Sequence, residues 1–473
     1  MANLTDTHRV APTKIEKFLA PIEHFIHQST SAGLIMILFI IIALGWANSP
    51  WYKLYEDFLH YPISFGFGST LVTYGLSHWV NDGLMTIFFF LVGLEIKREF
   101  LAGELSNREE AILPIVAAIG GMAAPALVYL CFNLGTPYAK GWAIPTATDI
   151  AFAMGALSLL GSRVPLSLKV FLTALAIADD IGAIIIIALF YGGSIQVLPV
   201  LGAVTILALL FLGNRLEIRS LLFYGFLSFL LWIFVFQSGI HATLAGVLAA
   251  MTVPFKAYIS ERDFIHVARK SISRYEYANL ANGDEYDVVQ LPDGSEKIIY
   301  HDNAGPYYSL VQPESVSAVQ DLQNYCTYVE SPLRALERII HLWVSFLIVP
   351  LFTLCNAGIR VDTSTITTAL ADPVTLGVAF GLVVGKPIGI FTTCFVTSKL
   401  GLIRIAKDIT WTHLFGAGCL AGIGFTMSLF VANLAFGNLA HRLNDAKIGI
   451  LTGSFFAVCI GLFILMNTKK AKE

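Results

Sequence analysis

Two adjacent carboxylates, Asp179 and Asp180, stand in the stretch ALAIADDIGAI (residues 174–184), with apolar sequence running on both sides. Ionisable groups in an apolar run of membrane length are costly to bury, so they are read first as a transport or proton-relay site facing a bundle interior or a wet cavity. Neighbouring carboxylates repel when both are ionised, which makes a proton and a cation alternative ways of neutralising the pair. Carboxylates and freed backbone carbonyls suit a hard monovalent cation, sodium or its smaller congener lithium, better than thiols or imidazoles do. The plainer alternative is a helix cap at a break, against which the unbroken apolar flanks argue.

Three other apolar runs carry unusual residues. Pro145-Thr146-Ala147-Thr148-Asp149, between Gly141 and Gly155, reads as an unwound stretch at membrane depth whose freed backbone groups are satisfied by hydroxyls and by the facing helix. Gly422-Ile423-Gly424-Phe425-Thr426-Met427-Ser428 is a similar interruption in the other half of the chain. Two such breaks point to crossed, broken helices around a site at the bilayer midplane, where Asp149 would offset the positive helix ends. For Gly422, Gly424, Thr426 and Ser428 the alternative is small residues that let helices pack closely. Lys386, in Gly385-Lys386-Pro387-Ile388-Gly389, lies about halfway along its run, which favours pairing with Asp179 or Asp180 over a lysine that snorkels to the interface.

The elements that must position these residues follow from composition. Of 473 residues, 56% are hydrophobic and 13% charged, against about 25% charged in a soluble domain. The apolar blocks are near the roughly 20 residues that a helix needs to cross about 30 Å of hydrocarbon, so the fold class is an all-α membrane protein and not a barrel. About twelve transmembrane helices are expected, at 30–48, 78–98, 111–134, 141–160, 166–191, 197–214, 219–237, 240–255, 333–354, 373–397, 412–436 and 444–466. Residues 1–29 form a polar N-terminal tail without the apolar core of a cleaved signal, 30–255 hold spans one to eight, 256–330 a cytoplasmic insert, and 331–473 spans nine to twelve with a short tail.

The insert carries 12 acidic and six basic residues, a strand–turn–strand pattern around Pro292-Asp293-Gly294-Ser295 and an amphipathic helix near 263–277. Residues 61–74 fit a small periplasmic hairpin or a surface loop about equally. Lysine and arginine fall 24 on one side of the bilayer and five on the other, or 16 against five without the eight counted to the long loop after the eighth span, Arg334 and Arg338 included, which puts both termini in the cytoplasm. Among six scattered cysteines, Cys131, Cys355, Cys394, Cys419 and Cys459 lie in apolar segments and read as small membrane-core residues, with no metal spacing. No basic cluster asks for a nucleic acid, and no Gly-Lys-Ser/Thr loop cradles a phosphate, so a proton gradient is the evident energy source.

TATD (146–149), ALAIADDIGAI (174–184), VGKPIGI (384–390) and AGIGFTMSLF (421–430), in that order, resemble the NhaA family of sodium/proton antiporters. WVNDGLM (79–85), LVGLEIKRE (91–99) and HATLAG (241–246) match as well. The resemblance implies inverted repeats with two broken, crossing helices. It also implies an electrogenic Na⁺ or Li⁺/H⁺ antiporter of the bacterial inner membrane, regulated by pH, serving sodium and pH homeostasis without a cofactor. Its partners are then Na⁺, Li⁺, H⁺ and the lipid bilayer, with a homodimer left open.

By position, the resemblance makes Asp180 the principal sodium ligand and Asp179 its neighbour, paired with Lys386 when no ion is bound. It sets Thr148 and Asp149 at the helix crossing. Glu95, Arg98 and Glu99 resemble the family's pH-sensing cluster, and Glu337, His341 and His241 match further pH-response positions; a charged or solvated helix end is the alternative reading for each. The insert, of about 65 to 75 residues, departs from the family's short loop and sits beside the pH-sensing face. A sodium symporter for an organic solute would add midplane groups for that solute, which are not evident. An intramembrane aspartyl protease would leave Asp180 and Lys386 without a role.

Overall fold

The computed structural model describes residues 31–67, 70–280, 286–290, 296–300, 313–360, 371–403, 405–406 and 408–468. The N-terminal tail and the Pro292–Ser295 turn lie outside them. Among the described residues, seven helices are long and apolar enough to cross a bilayer: Leu76–Ala102, Glu109–Asn133, Leu166–Phe190, Val197–Arg215, Pro332–Ala357, Pro373–Lys399 and Ala440–Asn467. The other expected spans take shorter or broken forms. The first is Ser31–Ala47, after which the chain turns through 116° into Tyr52–Leu59. The eleventh splits into Trp411–Ala421 and Phe425–Phe436, bent by 46°.

The fourth span runs as a 3₁₀ segment, Ala139–Thr146, then an extended link at Ala147, and then the helix Ile150–Ser158. The seventh is Leu221–Gln237. The eighth is shorter than the expected 240–255: its helix is Thr243–Thr252, about 15 Å at 1.5 Å per residue. Gly239, at φ +83°, makes the turn before it, and Pro254 lies just past its end, so apolar composition overstated what the backbone could wind.

The ambiguous 61–74 stretch is a hairpin, Pro62–Phe67 antiparallel to Thr70–Gly75, with Pro62 opposite Gly75. Trp79 Nε1 donates to Ile63 O at 2.9 Å and ties it to the second span. The cysteine reading needs correcting, since Cys355, Cys394 and Cys419 are buried but Cys131 and Cys459 are on the outer surface of the bundle. A thiol is apolar enough to stand on either side of a membrane helix. Lys447, one of the five basic residues counted to the sparser side of the bilayer, is buried and not in a loop, its Nζ 3.5 Å from Gly358 O.

Two helix groups emerge. In one, the second span packs on Thr243–Thr252, and the first packs on Val349–Ala357. In the other, the third span packs on the fifth and the tenth, and the twelfth on Pro373–Phe380 and both halves of the eleventh. The third and tenth spans approach so closely that a Cβ at Gly389 would collide with Gly120 O, which is how small residues let membrane helices pack. Two spans widen into π turns ahead of a proline, at Val344–Ile348 before Pro350 and Gly381–Gly385 before Lys386-Pro387. A proline cannot donate to the carbonyl four residues back, and the wider turn accommodates that loss.

The insert holds Glu261–Leu280, the antiparallel strands Tyr286–Gln290 and Glu296–Tyr300, and a helix the sequence reading did not anticipate, Pro313–Val329, packed on the first. Its ends meet: Tyr258 N donates to Tyr328 O at 2.9 Å. Replacing residues 261–330 with a short flexible linker therefore needs little chain to close, and exchange should remain measurable, with any effect in pH dependence or expression. Vesicle flux checks this, and complete loss in a correctly inserted deletion would refute it.

Candidate functional site

Both breaks place backbone polar groups with no helical partner deep in the protein, where each must find another. They find one another. Asp149 N donates to Ile423 O at 2.6 Å, Ser428 Oγ to Ile144 O at 2.7 Å, and Thr148 Oγ1 lies 2.9 Å from Ala421 O. The fourth and eleventh spans thus cross at their interruptions, and Gly424 has no room for a side chain beside Ala147 O.

Asp149 serves two helix starts at once. Its Oδ1 accepts from Phe152 N at 3.3 Å, capping Ile150–Ser158, and its Oδ2 accepts from Thr426 N at 3.1 Å and Thr426 Oγ1 at 2.5 Å, at the start of Phe425–Phe436. One carboxylate offsets two positive helix ends. One negative end is met by a cation, because Lys386 Nζ donates to Thr146 O, at the end of the 3₁₀ segment.

Lys386 is wholly buried and its Nζ is 2.7 Å from Asp179 Oδ2, so it pairs with Asp179 and does not snorkel. Thr148 Oγ1 is 2.6 Å from the same oxygen, and its single proton has Asp179 and Ala421 O to choose between. A buried pair holds only when its remaining hydrogen-bonding capacity is also met. Here it is not fully met: among the described residues, Asp179 Oδ1 and Asp180 Oδ1 are buried oxygens without a hydrogen-bond partner. Orphaned carboxylate oxygens are acceptors that a proton or a hard cation would satisfy.

Asp180 opens onto a cavity of about 450 Å³, whose lining includes Glu95, Thr148, Asp149, His341 and Thr426. His341 is exposed, at the mouth. Near that end Arg98 pairs with Glu337 and, at 2.9 Å, with Glu99, joining the second span to the start of the ninth. His241 is not brought to this cluster. Its Nε2 is 3.8 Å from Asp82 Oδ1, near the opposite end of the second span, and its ring packs edge-on to Phe430 at 5.4 Å.

Sequence reasoning missed Lys97, which holds the end of the eighth helix through Met251 O at 2.7 Å. It also missed Asn356 and Asn433. A polar residue in an apolar run was the available signal for all three.

The sequence profile of the family described as Na⁺/H⁺ antiporter 1 matches residues 23–465. An Na⁺/H⁺ antiporter NhaA 2 of Syntrophotalea carbinolica is 41% identical, over 98% of this chain and 99% of the relative. The Na⁺/H⁺ antiporter NhaA of Sulfurimonas denitrificans is 42% identical, over 96% and 97%, and that of Koribacter versatilis 41%, over 98% and 95%.

Proposed function

The chain belongs to the Na⁺/H⁺ antiporter family, and from that premise we propose that Asp180 is the group at which a sodium ion and a proton replace one another. It is a multi-pass membrane protein and a secondary transporter, exchanging sodium for protons, not an enzyme. The observation that carries the site is the unpartnered oxygen of Asp180 beside a cavity that Asp149 also lines, with Asp179 already held by Lys386. Sodium entering the cavity meets a carboxylate that no ammonium neutralises, with Asp179 Oδ1, Thr148 and the freed carbonyls of the crossing as further oxygen donors. Lithium, smaller and equally hard, suits the same oxygens.

One proton on Asp180 and one carried by the Lys386 ammonium give two to set against a single sodium, which makes the exchange electrogenic. The basic-residue bias supports a cavity mouth, with both termini, on the cytoplasmic face of a bacterial inner membrane. Sodium-driven proton flux in proteoliposomes, followed across pH and repeated with lithium, tests the reading. Flux that ignores both cations at every pH would overturn it.

The Arg98–Glu337 pair joins two spans that wall the cavity, so its charge state bears on how far the mouth opens. Glu337→Gln should shift the pH dependence of exchange without abolishing it. A profile superimposable on the parent would remove Glu337 from the regulation.

A further inference from the structure

On the second, ninth and eleventh spans the lining of the cavity reaches Phe88, Val349 and Met427, and the residues beyond it are arranged in layers. On Phe425–Phe436, Thr426 lines the cavity, Phe430 follows four residues on and Asn433 seven, a spacing that sets all three along one helix face. Phe430 lies 5.4 Å, centre to centre, from Phe89 and 6.3 Å from Phe352, and all three rings are buried. Beyond the rings comes a bridge of amides. Asn433 Nδ2 donates to Asn356 Oδ1 at 2.9 Å, and Asn356 Nδ2 donates to Asn81 Oδ1 at 2.9 Å. One end and the middle are braced, by Asn433 Nδ2 to Leu429 O and Asn356 Nδ2 to Phe352 O, both at 2.8 Å.

At about 1.5 Å per residue, Asn81 stands roughly 21 Å from Glu95 along the second span and Asn356 roughly 22 Å from His341 along the ninth. The bridge is therefore on the far side of the protein from the cavity mouth. It also joins the two helix groups, for Asn433 belongs to the group that carries Asp149, Asp180 and Lys386, and Asn81 and Asn356 to the other.

We propose that Asn433, Asn356 and Asn81 form the latch that closes the far face of the ion path, and that Phe430, Phe89 and Phe352 are the apolar plug it holds shut. The inference rests on the exchange reading: an ion taken from one face must leave by the other, so this barrier opens once in every cycle. Carboxamides suit the task, since they neither titrate nor trap a cation. Out of water, a hydrogen bond between membrane helices is worth about threefold in a two-state population, enough to bias the closed form and not enough to lock it. Water admitted on opening meets the freed amides, and their oxygens then line the exit.

The test is the sodium KM at each face, measured for the parent, Asn433→Ala and Asn356→Ala, which remove either partner of the bond between the groups, in vesicles of both orientations. Loosening the latch populates the form open to the far face, so KM there should fall about three- to tenfold while KM at the mouth stays level or rises. The double variant should add little to either single change, because both remove the same hydrogen bond between the groups. Amides that only support the fold would lower the rate at both faces and leave the ratio of the two KM values unchanged, and that result in both variants overturns the latch. Asn356→Ala carries the test alone if Asn433→Ala does not insert. A parent protein without exchange would sink the transport reading instead.

Discussion

Asp180→Asn is expected to abolish sodium-driven proton exchange while leaving the protein folded. The amide keeps the volume and most of the hydrogen bonding of the acid, but removes the charge that would bind sodium and the proton that would be exchanged for it. Asp180 is 4% exposed and its Oδ1 has no partner among the described residues, so the substitution breaks no ion pair there. Asp179→Asn should follow closely, for a further reason. It strips Lys386 of its carboxylate, and an ammonium buried without a counter-charge costs several kcal/mol, so lower yield should accompany lost transport. Asp149→Asn is the mildest of the three: an amide can still accept one of the two helix-start bonds and donate to Thr426 Oγ1, at a cost of about 1–3 kcal/mol for the donor left over. Proton release driven by sodium in everted vesicles ranks the three, and normal exchange in Asp180→Asn would falsify the assignment.

Lys386→Ala should be the most destabilising single change in the proposed site. It removes both the counter-charge of Asp179 and the donor to Thr146 O, from a position with no solvent to replace them. Losing one partner of a buried pair costs about 3–5 kcal/mol. The sign with pH is fixed by what remains: a proton on Asp179 is then the available way to neutralise it, so the stability of the variant should drop further as pH rises. Thermal unfolding in detergent across a pH series measures this. A melting temperature equal to that of the parent at every pH would show that the pair contributes nothing.

The membrane class, most span positions and the polar residues of the proposed site were legible in the sequence, because a hydrocarbon solvent makes a buried Asp179, Asp180, Asp149 or Lys386 conspicuous against apolar flanks. The eighth span was overestimated by the same signal, since hydropathy reports burial and not winding. The hairpin at Pro62–Gly75 stayed ambiguous because cross-strand pairs that stabilise a strand are not visible in one strand.

Distances across the fold decided the rest. Asp179 and Asp180 are neighbours in the chain, and nothing in their order says which one Lys386 holds; helix phase and the close approach of the third and tenth spans turn Asp179 to the lysine and Asp180 to the cavity. Likewise His241 matched the same motif set as Glu95, yet 3.6 residues per turn and the short eighth helix leave it beside Asp82 at the other end. Asn81, Asn356 and Asn433 were single amides scattered through a long chain. They became a latch only where three spans converge, because a hydrogen bond between helices depends on angstroms that residue spacing does not encode.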